Sequence, residues 1–218
     1  MNRAAVRSRI EQIGIVPAIR LSASDDALFA VDAIAESGIP IAEVTMTVPG
    51  ALEVIRKLAR SNSELVVGAG TVVDVETAQR CLDAGATFLT SPGLDLQVTE
   101  FALQHDVVTF PGALTPSEVM AARKAGSDFV KVFPCSLLGG PSYIKALKSP
   151  FPDSRLIAAG GVNQQNTADF ILAGAVAVGV GRELVSREAV RRRQLDWIRE
   201  LAHRFLQIVK DARALQGA

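Results

Sequence analysis

Short β-branched runs alternate with stretches of helical spacing along the whole chain, and this alternation limits the folds open to it. Between the runs, apolar residues fall at i, i+3 and i+4, which is the period of an amphipathic helix. Strict alternation of strand and helix predicts a parallel sheet. The eight runs are IVPAIR (15–20), IAEVTMT (41–47), LVVGAGT (65–71), TFLTSP (87–92), VVTFPG (107–112), FVKVFP (129–134), RLIAAGG (155–161) and AVAVGVG (175–181).

Helix boundaries recur at fixed points of this repeat. A glycine just before a strand favours the left-handed conformation that ends a helix, and it occurs at Gly38, Gly85, Gly126 and Gly174. Typical N-terminal signals are Ser24, Thr115 followed by Pro116, and Asn163. Helical spacing also predicts helices over residues 2–14 and roughly 188–213, at the two ends of the chain.

Eight strand–helix units in 218 residues predict a (β/α)₈ TIM barrel of the α/β class. We expect one domain over residues 1–218, with N-terminal and C-terminal capping helices. A doubly wound sheet is the alternative, but it rarely needs eight strands of nearly equal length.

Composition bears on partners and location. Lys and Arg total 23, as do Asp and Glu, so we expect neither nucleic acid nor a membrane as a partner. Arg191, Arg192 and Arg193 form a basic cluster that we expect to be the solvated face at the start of a helix. The two cysteines, Cys81 and Cys135, are too few for a disulfide framework. With no apolar run of about 18 residues, the chain is predicted to be cytoplasmic.

Alternation along the strands places polar side chains inside the predicted barrel. Catalytic groups in such barrels lie at the C-terminal ends of the strands. We therefore expect a carboxylate, an amine, a guanidinium and several hydroxyls to meet there. The predicted inward sets are Ile41, Glu43, Thr45 and Thr47; Phe129, Lys131 and Phe133; Val16, Ala18 and Arg20; and Leu65, Val67, Ala69 and Thr71.

Lys131 is the candidate catalytic residue, because it alone of six lysines lies within an apolar strand. A buried, unpaired ammonium is costly, whereas a neutral lysine can attack a carbonyl to form an imine. Glu43 beside it would transfer protons. A purely structural ion pair between Glu43 and Lys131 is the alternative, but buried pairs stabilise poorly and this one would leave Arg20 unexplained.

Neither a metal nor an organic cofactor is predicted. His105 and His203 stand apart in the sequence, and no HxH or CxxC spacing occurs. GAGTVV and GVGREL both lack the third glycine of a dinucleotide fingerprint, so no nicotinamide cofactor is expected.

The loops after the seventh and eighth strands predict a phosphate site. Loops at this position in barrels often hold phosphate through backbone N–H groups. Gly160 and Gly161 permit close approach, with a helix beginning near Asn163, and Arg182 is a direct anion partner. Gly179 and Gly181 repeat the glycine pattern one strand later. The alternatives are ordinary tight turns and an Arg182 that turns outward to pair with Glu183 or Glu188.

Six motifs in order, EVT, GAGTV, SPG, FPG, KVFP and GGV, resemble the KDPG/KHG aldolase family (2-keto-3-deoxy-6-phosphogluconate and 4-hydroxy-2-oxoglutarate aldolases) over residues 10 to 205. The resemblance implies a metal-free class I aldolase on a (β/α)₈ barrel, usually a homotrimer. It implies that Lys131 forms the Schiff base and that Glu43 is the general acid/base. The substrate-binding residues expected with them are Arg20, Thr47, Thr71, Pro92, Phe133, Gly160, Gly161, Gly181 and Arg182.

Two positions depart from the family pattern. Thr47 stands where many members have an arginine for the substrate carboxylate, and Arg182 stands where others have serine. Arg20 and the stretch KVFPCSLLGGPSYIKALK resemble the 6-phosphogalactonate branch, which implies that Arg20 binds the carboxylate instead.

The function implied is cleavage of a 2-keto-3-deoxy-6-phospho sugar acid, of the gluconate or galactonate type, to pyruvate and D-glyceraldehyde 3-phosphate. One alternative is a phosphosugar isomerase with Glu43 as base and Lys131 as an electrostatic partner. The other is a non-catalytic phosphosugar-binding barrel.

Overall fold

The computed structural model describes residues 1–216 and contains nine parallel strands in one sheet. All eight predicted runs contain strand. The bounds are β1 (Ile15–Ile19), β2 (Ile41–Thr45), β3 (Val66–Gly70), β4 (Phe88–Thr90), β5 (Val108–Phe110), β6 (Gly112–Ala113), β7 (Val130–Val132), β8 (Leu156–Ala159) and β9 (Ala177–Val180). Their order in the sheet is β5-β4-β3-β2-β1-β9-β8-β7-β6.

The sheet closes on the fifth predicted run, which Pro111 divides into β5 and β6. β5 pairs with β4, and β6 pairs with β7. Pro111 has no N–H to donate, but its carbonyl accepts from Lys131 N at 2.9 Å. The two sheet ends therefore meet on one continuous stretch, which confirms the predicted barrel of eight β/α units.

Helices follow the strands as predicted. The four predicted glycine ends have φ angles between 86° and 103°, in the left-handed region. The helices are α1 (Arg3–Ile13), α2 (Ser24–Glu36), α3 (Ala51–Ser61), α4 (Val75–Asp83), α5 (Leu96–Gln104), α6 (Pro116–Lys124), α7 (Pro141–Lys148), α8 (Thr167–Leu172), α9 (Arg187–Arg191) and α10 (Leu195–Gln216), with a 3₁₀ turn at Cys135–Leu138.

Of the three predicted helix starts, Thr115 is confirmed, Ser24 is correct in position but does not cap its helix, and Asn163 is wrong. Thr115 forms a capping box with Glu118 at the start of α6. Ser24 is already the first residue of α2 and makes no capping bond. The Asn163 side chain accepts from the backbone N–H groups of residues 165 and 166, so it closes a local turn and α8 begins only at Thr167.

The predicted helix over 188–213 is interrupted between α9 and α10. Arg193 lies in the break with a φ of 53°. Its guanidinium pairs with Asp26 at 3.1 Å and lies 4.7 Å from the centre of the Phe29 ring, both on α2. All three arginines of the cluster are exposed, so the predicted solvated face is correct. The predicted helix start is wrong, because the cluster lies at the end of α9 and in the break, where Arg193 contacts α2.

The barrel lumen is filled by an apolar layer that α1 completes. Val6 and Ile10 of α1 pack with the inward residues of the strands, which confirms the N-terminal capping helix. Arg3 Nε lies 3.1 Å from both carboxylate oxygens of the buried Asp128 and secures α1 there. The strand residues of this layer are Val16, Ile41, Val66, Phe88, Val108, Phe110, Phe129, Ile157 and Ala177.

The predicted inward faces are correct on β1, β2 and β7 and wrong on β3. Val66 lies in the lumen layer, while Leu65, Val67 and Ala69 pack in the outer layer under the helices. The inward positions after Val66 are glycines, Gly68 and Gly70. Because β3 has no polar residue within it, alternation alone did not indicate which set faces inward.

No helix within residues 1–216 is long and apolar enough to span a lipid bilayer.

Candidate active site

Lys131 on β7 and Glu43 on β2 meet near the C-terminal end of the lumen. Lys131 Nζ donates to Glu43 Oε1 at 3.2 Å and lies 3.5 Å from Oε2. The Glu43 side chain is 3% exposed and the Lys131 side chain 12%. The carboxylate is therefore almost enclosed, while the amine keeps some access to solvent.

The pair lies directly above the apolar layer. Ile41 and Phe129, two residues earlier on the same strands, belong to that layer. Lys131 Nζ also lies 5.9 Å from the centre of the Phe133 ring. A lysine placed above apolar groups can act as a nucleophile toward a carbonyl, and a carboxylate beside it can transfer protons.

Hydroxyls and a guanidinium follow the neighbouring strands. Thr45 Oγ1 donates to Ile19 O and lies 2.8 Å from Thr47 Oγ1, so the two threonines share a hydrogen bond. Arg20 follows β1, which pairs in register with β2, and its side chain is exposed. No ion pair within residues 1–216 involves Arg20. This guanidinium is available to an anion.

Thr71 and Pro92 follow β3 and β4 at the same end of the barrel. Thr71 has a φ of 61°, a left-handed conformation that is unusual for a β-branched residue. A Cβ atom on Gly112 of β6 would lie 2.2 Å from Pro92 O, so the absence of a side chain there lets the Pro92 loop approach β6. Both residues therefore lie at the C-terminal end of the barrel, the end where Lys131 and Glu43 meet.

The glycine turn after β8 has free backbone donors. Gly160 and Gly161 have φ angles of 86° and 83°. Gly160 O accepts from Ser136 N, and Gly161 O accepts from the Asn166 side chain. Within residues 1–216, the backbone N–H groups of Gly161 and Val162 have no hydrogen-bond acceptor. An anion can therefore bind to this turn without displacing a protein partner.

Arg182 follows β9, the neighbour of β8, and is exposed. Among the described residues Arg182 forms no ion pair with Glu183 or Glu188. Glu188 pairs with Arg192 instead. Gly181 lies at the turn as expected. Gly179 lies inside β9, so the predicted second pair of turn glycines is wrong at that position.

Sequence reasoning missed two residues of the site. Gly70 on β3 lies against the Glu43 side chain, where its Cβ would be 2.2 Å from Oε1. Ser136 lies over Gly161, and its Oγ is buried without a hydrogen-bond partner. An inward glycine inside a strand signals close approach of another group, and that signal in GAGT was available. For Ser136 the sequence contained no such signal.

In the described part of the chain, no histidine or cysteine side chain is hydrogen-bonded to Lys131 or Glu43. No group of three or more His, Cys, Asp or Glu residues in the described part of the chain is arranged to hold a metal ion. Burial raises the pKa of the Cys81 and Cys135 thiols to about 11, so both stay protonated at neutral pH. His105 Nδ1 is hydrogen-bonded to Phe101 O at the end of α5.

Comparison with known proteins gives a consistent result. The family model described as "Aldolase: KDPG and KHG aldolase" matches residues 6–201. A 2-dehydro-3-deoxy-phosphogluconate aldolase of Pseudomonas aeruginosa is 34% identical over 193 residues, which is 88% of either chain. A probable 2-dehydro-3-deoxy-6-phosphogalactonate aldolase of Rhizobium meliloti is 35% identical over 158 residues, 71% of this chain and 73% of its own.

Among solved structures, a KDPG aldolase from Legionella pneumophila with pyruvate captured at low pH as a covalent carbinolamine intermediate has a TM-score of 0.85. It is 28% identical to this chain, and the match covers 93% of this chain and 97% of that one.

Proposed function

Because the chain belongs to the KDPG and KHG aldolase family, we propose that it is a class I aldolase acting through Lys131 and Glu43. Its proposed substrate is a 2-keto-3-deoxy-6-phospho sugar acid, which it cleaves to pyruvate and D-glyceraldehyde 3-phosphate. The main support is the contact of 3.2 Å between a partly accessible amine and an enclosed carboxylate. We assign the whole activity to one domain, residues 1–218.

The family match and the aldolase names of the relatives favour this reaction over the two alternatives. An isomerase would use Lys131 only for its charge. A non-catalytic binding barrel would give neither Lys131 nor Glu43 a catalytic role. Retaining an ion pair here for stability alone is a weak explanation, because burying two charges costs about as much as their attraction returns.

In the proposed mechanism the neutral amine of Lys131 attacks the C2 carbonyl of the substrate. The carbinolamine that forms loses water to give an iminium ion, which withdraws electrons from the C3–C4 bond. Glu43, directly or through a water molecule, takes the proton of the C4 hydroxyl.

The C3–C4 bond then breaks, and C4 becomes the aldehyde carbon of glyceraldehyde 3-phosphate. The electron pair of the broken bond stays with C3 and neutralises the iminium, which leaves an enamine on the lysine. Glu43 returns the proton to C3 of the enamine, and water releases pyruvate from the regenerated iminium. The iminium is itself the electron sink, so this proposed route uses no metal and no cofactor.

The remaining predicted residues divide between the two ends of the substrate. Arg20 and Thr47 are proposed to bind the carboxylate, supported by the exposure of Arg20 and by the pairing of β1 with β2, whose end carries the Thr45–Thr47 hydroxyl pair. Thr71, Pro92 and Phe133 are proposed to surround the pyruvate portion. Their support is the family resemblance, together with the position of Phe133 next to Lys131 Nζ.

Four residues are proposed to bind the phosphate: Gly160, Gly161, Gly181 and Arg182. Within residues 1–216, the N–H groups of Gly161 and Val162 have no acceptor, and Arg182, after the adjacent strand, forms no ion pair; both observations support this assignment. A phosphate dianion gains from both, because hydrogen bonds to charged groups are stronger than neutral ones.

We also propose a cytoplasmic homotrimer that binds neither nucleic acid nor membrane. Two buried free thiols, Cys81 and Cys135, suit a reducing compartment. Three apolar side chains after β3, β4 and β7 are exposed and support an apolar contact between copies. They are Val73 in the loop after β3 (55%), Leu96 at the start of α5 (53%) and Leu137 in the 3₁₀ turn after β7 (80%). Light scattering should give a mass three times the 23.1 kDa of one chain; a mass of one chain would contradict the trimer.

Imine formation is directly testable. Borohydride added with pyruvate should reduce the imine and leave a three-carbon adduct on Lys131, detected by peptide mass mapping. Lys131→Arg should keep the fold and lose the adduct, because a guanidinium stays protonated. An adduct on another lysine, or active enzyme that yields no adduct, would show that Lys131 is not the nucleophile.

The role of Arg182 predicts a dependence on the substrate's phosphate. Arg182→Ala should lower kcat/KM for the 6-phosphorylated sugar acid by roughly 10- to 100-fold, since a charge-assisted hydrogen bond contributes about 1.5–3 kcal/mol. The unphosphorylated sugar acid should lose far less and serves as the control. Equal losses for both substrates, or none for either, would leave phosphate binding to the glycine turn alone.

A further inference from the structure

Gly70, the last residue of β3, packs against the Glu43 side chain. It pairs in register with Thr45 of β2, and its carbonyl accepts from Met46 N at 2.8 Å. A Cβ atom on Gly70 would lie 2.2 Å from Glu43 Oε1, 2.7 Å from Cγ and 2.8 Å from Cδ. Three atoms of the Glu43 side chain therefore occupy the space that a side chain at position 70 would need.

Backbone conformation does not explain the glycine at this position. Ten glycines of the described residues have a positive φ, and Gly70 is not one of them. An L-residue could adopt the backbone of Gly70 without strain of that kind. The requirement comes from the space that Glu43 occupies, which is the usual reason for a glycine inside a strand where another group approaches closely.

We propose that Gly70 is a positioning residue for proton transfer, and that its missing side chain holds the Glu43 carboxylate against Lys131. Ordinary contact begins at 3.4 Å, so a methyl group 2.2 Å from Oε1 would displace that oxygen by more than 1 Å. Glu43 is 3% exposed and cannot simply swing into solvent. This inference rests on the proposed function, in which Glu43 transfers the proton.

The three atoms nearest to a Cβ on Gly70 belong to Glu43 and none belongs to the Lys131 amine, and this separates two steps of the reaction. Imine formation needs the Lys131 amine, whereas enamine formation and its reversal need the carboxylate at the correct distance. A displacement of about 1 Å from the productive geometry can cost about 10²-fold in rate. A substitution at position 70 should therefore slow proton transfer and spare the imine.

The test uses Gly70→Ala in the full chain with pyruvate as the probe. Exchange of the pyruvate methyl protons with deuterium, followed by NMR, should slow by about 10²-fold. Borohydride should still trap pyruvate on Lys131. Exchange at the wild-type rate would overturn the proposal, and so would equal loss of exchange and trapping.

Gly68→Ala is the matched control, two residues earlier on the same face of β3. Its Cβ would lie 2.3 Å from the Phe88 ring. Although Gly68 pairs in register with Glu43, the three atoms nearest to that Cβ all belong to Phe88. We expect a lower Tm and an unchanged exchange rate per folded molecule. A loss of exchange equal to that of Gly70→Ala would show that general damage to β3 explains both.

A double variant tests whether Gly70 acts through Glu43. Glu43→Ala removes the atoms that a Cβ on residue 70 would meet, so adding Gly70→Ala should then cost no further exchange and no further Tm. Such non-additivity is the signature of two residues in contact. If Gly70→Ala alone folds poorly, the double variant should regain the Tm of Glu43→Ala; independent losses would overturn the proposal.

Failure of the proposed function would look different. In that case the wild-type chain would not trap pyruvate on Lys131 at all, whatever residue occupies position 70.

Discussion

An ammonium and a carboxylate held 3.2 Å apart across the barrel lumen are the interaction on which the rest of the site depends. Glu43 and Lys131 lie on β2 and β7, which are not neighbours. β1, β9 and β8 separate them on one side, and β3, β4 and the divided fifth strand separate them on the other. The pair therefore forms only because the sheet closes, and it brings two opposite walls together.

The layer below the pair explains how two charges are kept at this depth. Phe129 and Ile41 lie beneath Lys131 and Glu43, and α1 fills the far end of the lumen with Val6 and Ile10. Such a floor penalises a lone charge, so each group depends on the other or on a bound substrate. The proposed phosphate end needs no such floor, since within residues 1–216 the N–H groups of Gly161 and Val162 have no acceptor.

The sequence predicted the fold and the paired residues because their signals are local. Alternation with a polar residue inside the strand indicated the correct inward face for β2 and β7. The same alternation predicted the wrong inward face for β3, because Gly68 and Gly70 face inward there and have no polar side chain to mark that face. The Asn163 side chain closes a turn by accepting from two backbone N–H groups, and this turn takes the place of the first helical turn. Residue propensities alone did not indicate which of the two would form.

Other features depend on contacts between distant segments. The break before α10 depends on Arg193 reaching Asp26 and Phe29 of α2, more than 160 positions earlier in the chain. The buried Ser136 hydroxyl over Gly161 is likewise a product of packing between two loops. The predicted binding roles of Arg20, Thr47, Thr71, Pro92, Phe133 and Arg182 stay predictions, since each concerns a substrate.

A crystal structure of the chain soaked with pyruvate tests the central claim most directly. We predict continuous electron density from Lys131 Nζ to C2 of pyruvate, with the Glu43 carboxylate next to the bound carbon chain. Pyruvate bound in the lumen without a covalent bond, or bonded to a different lysine, would contradict the account.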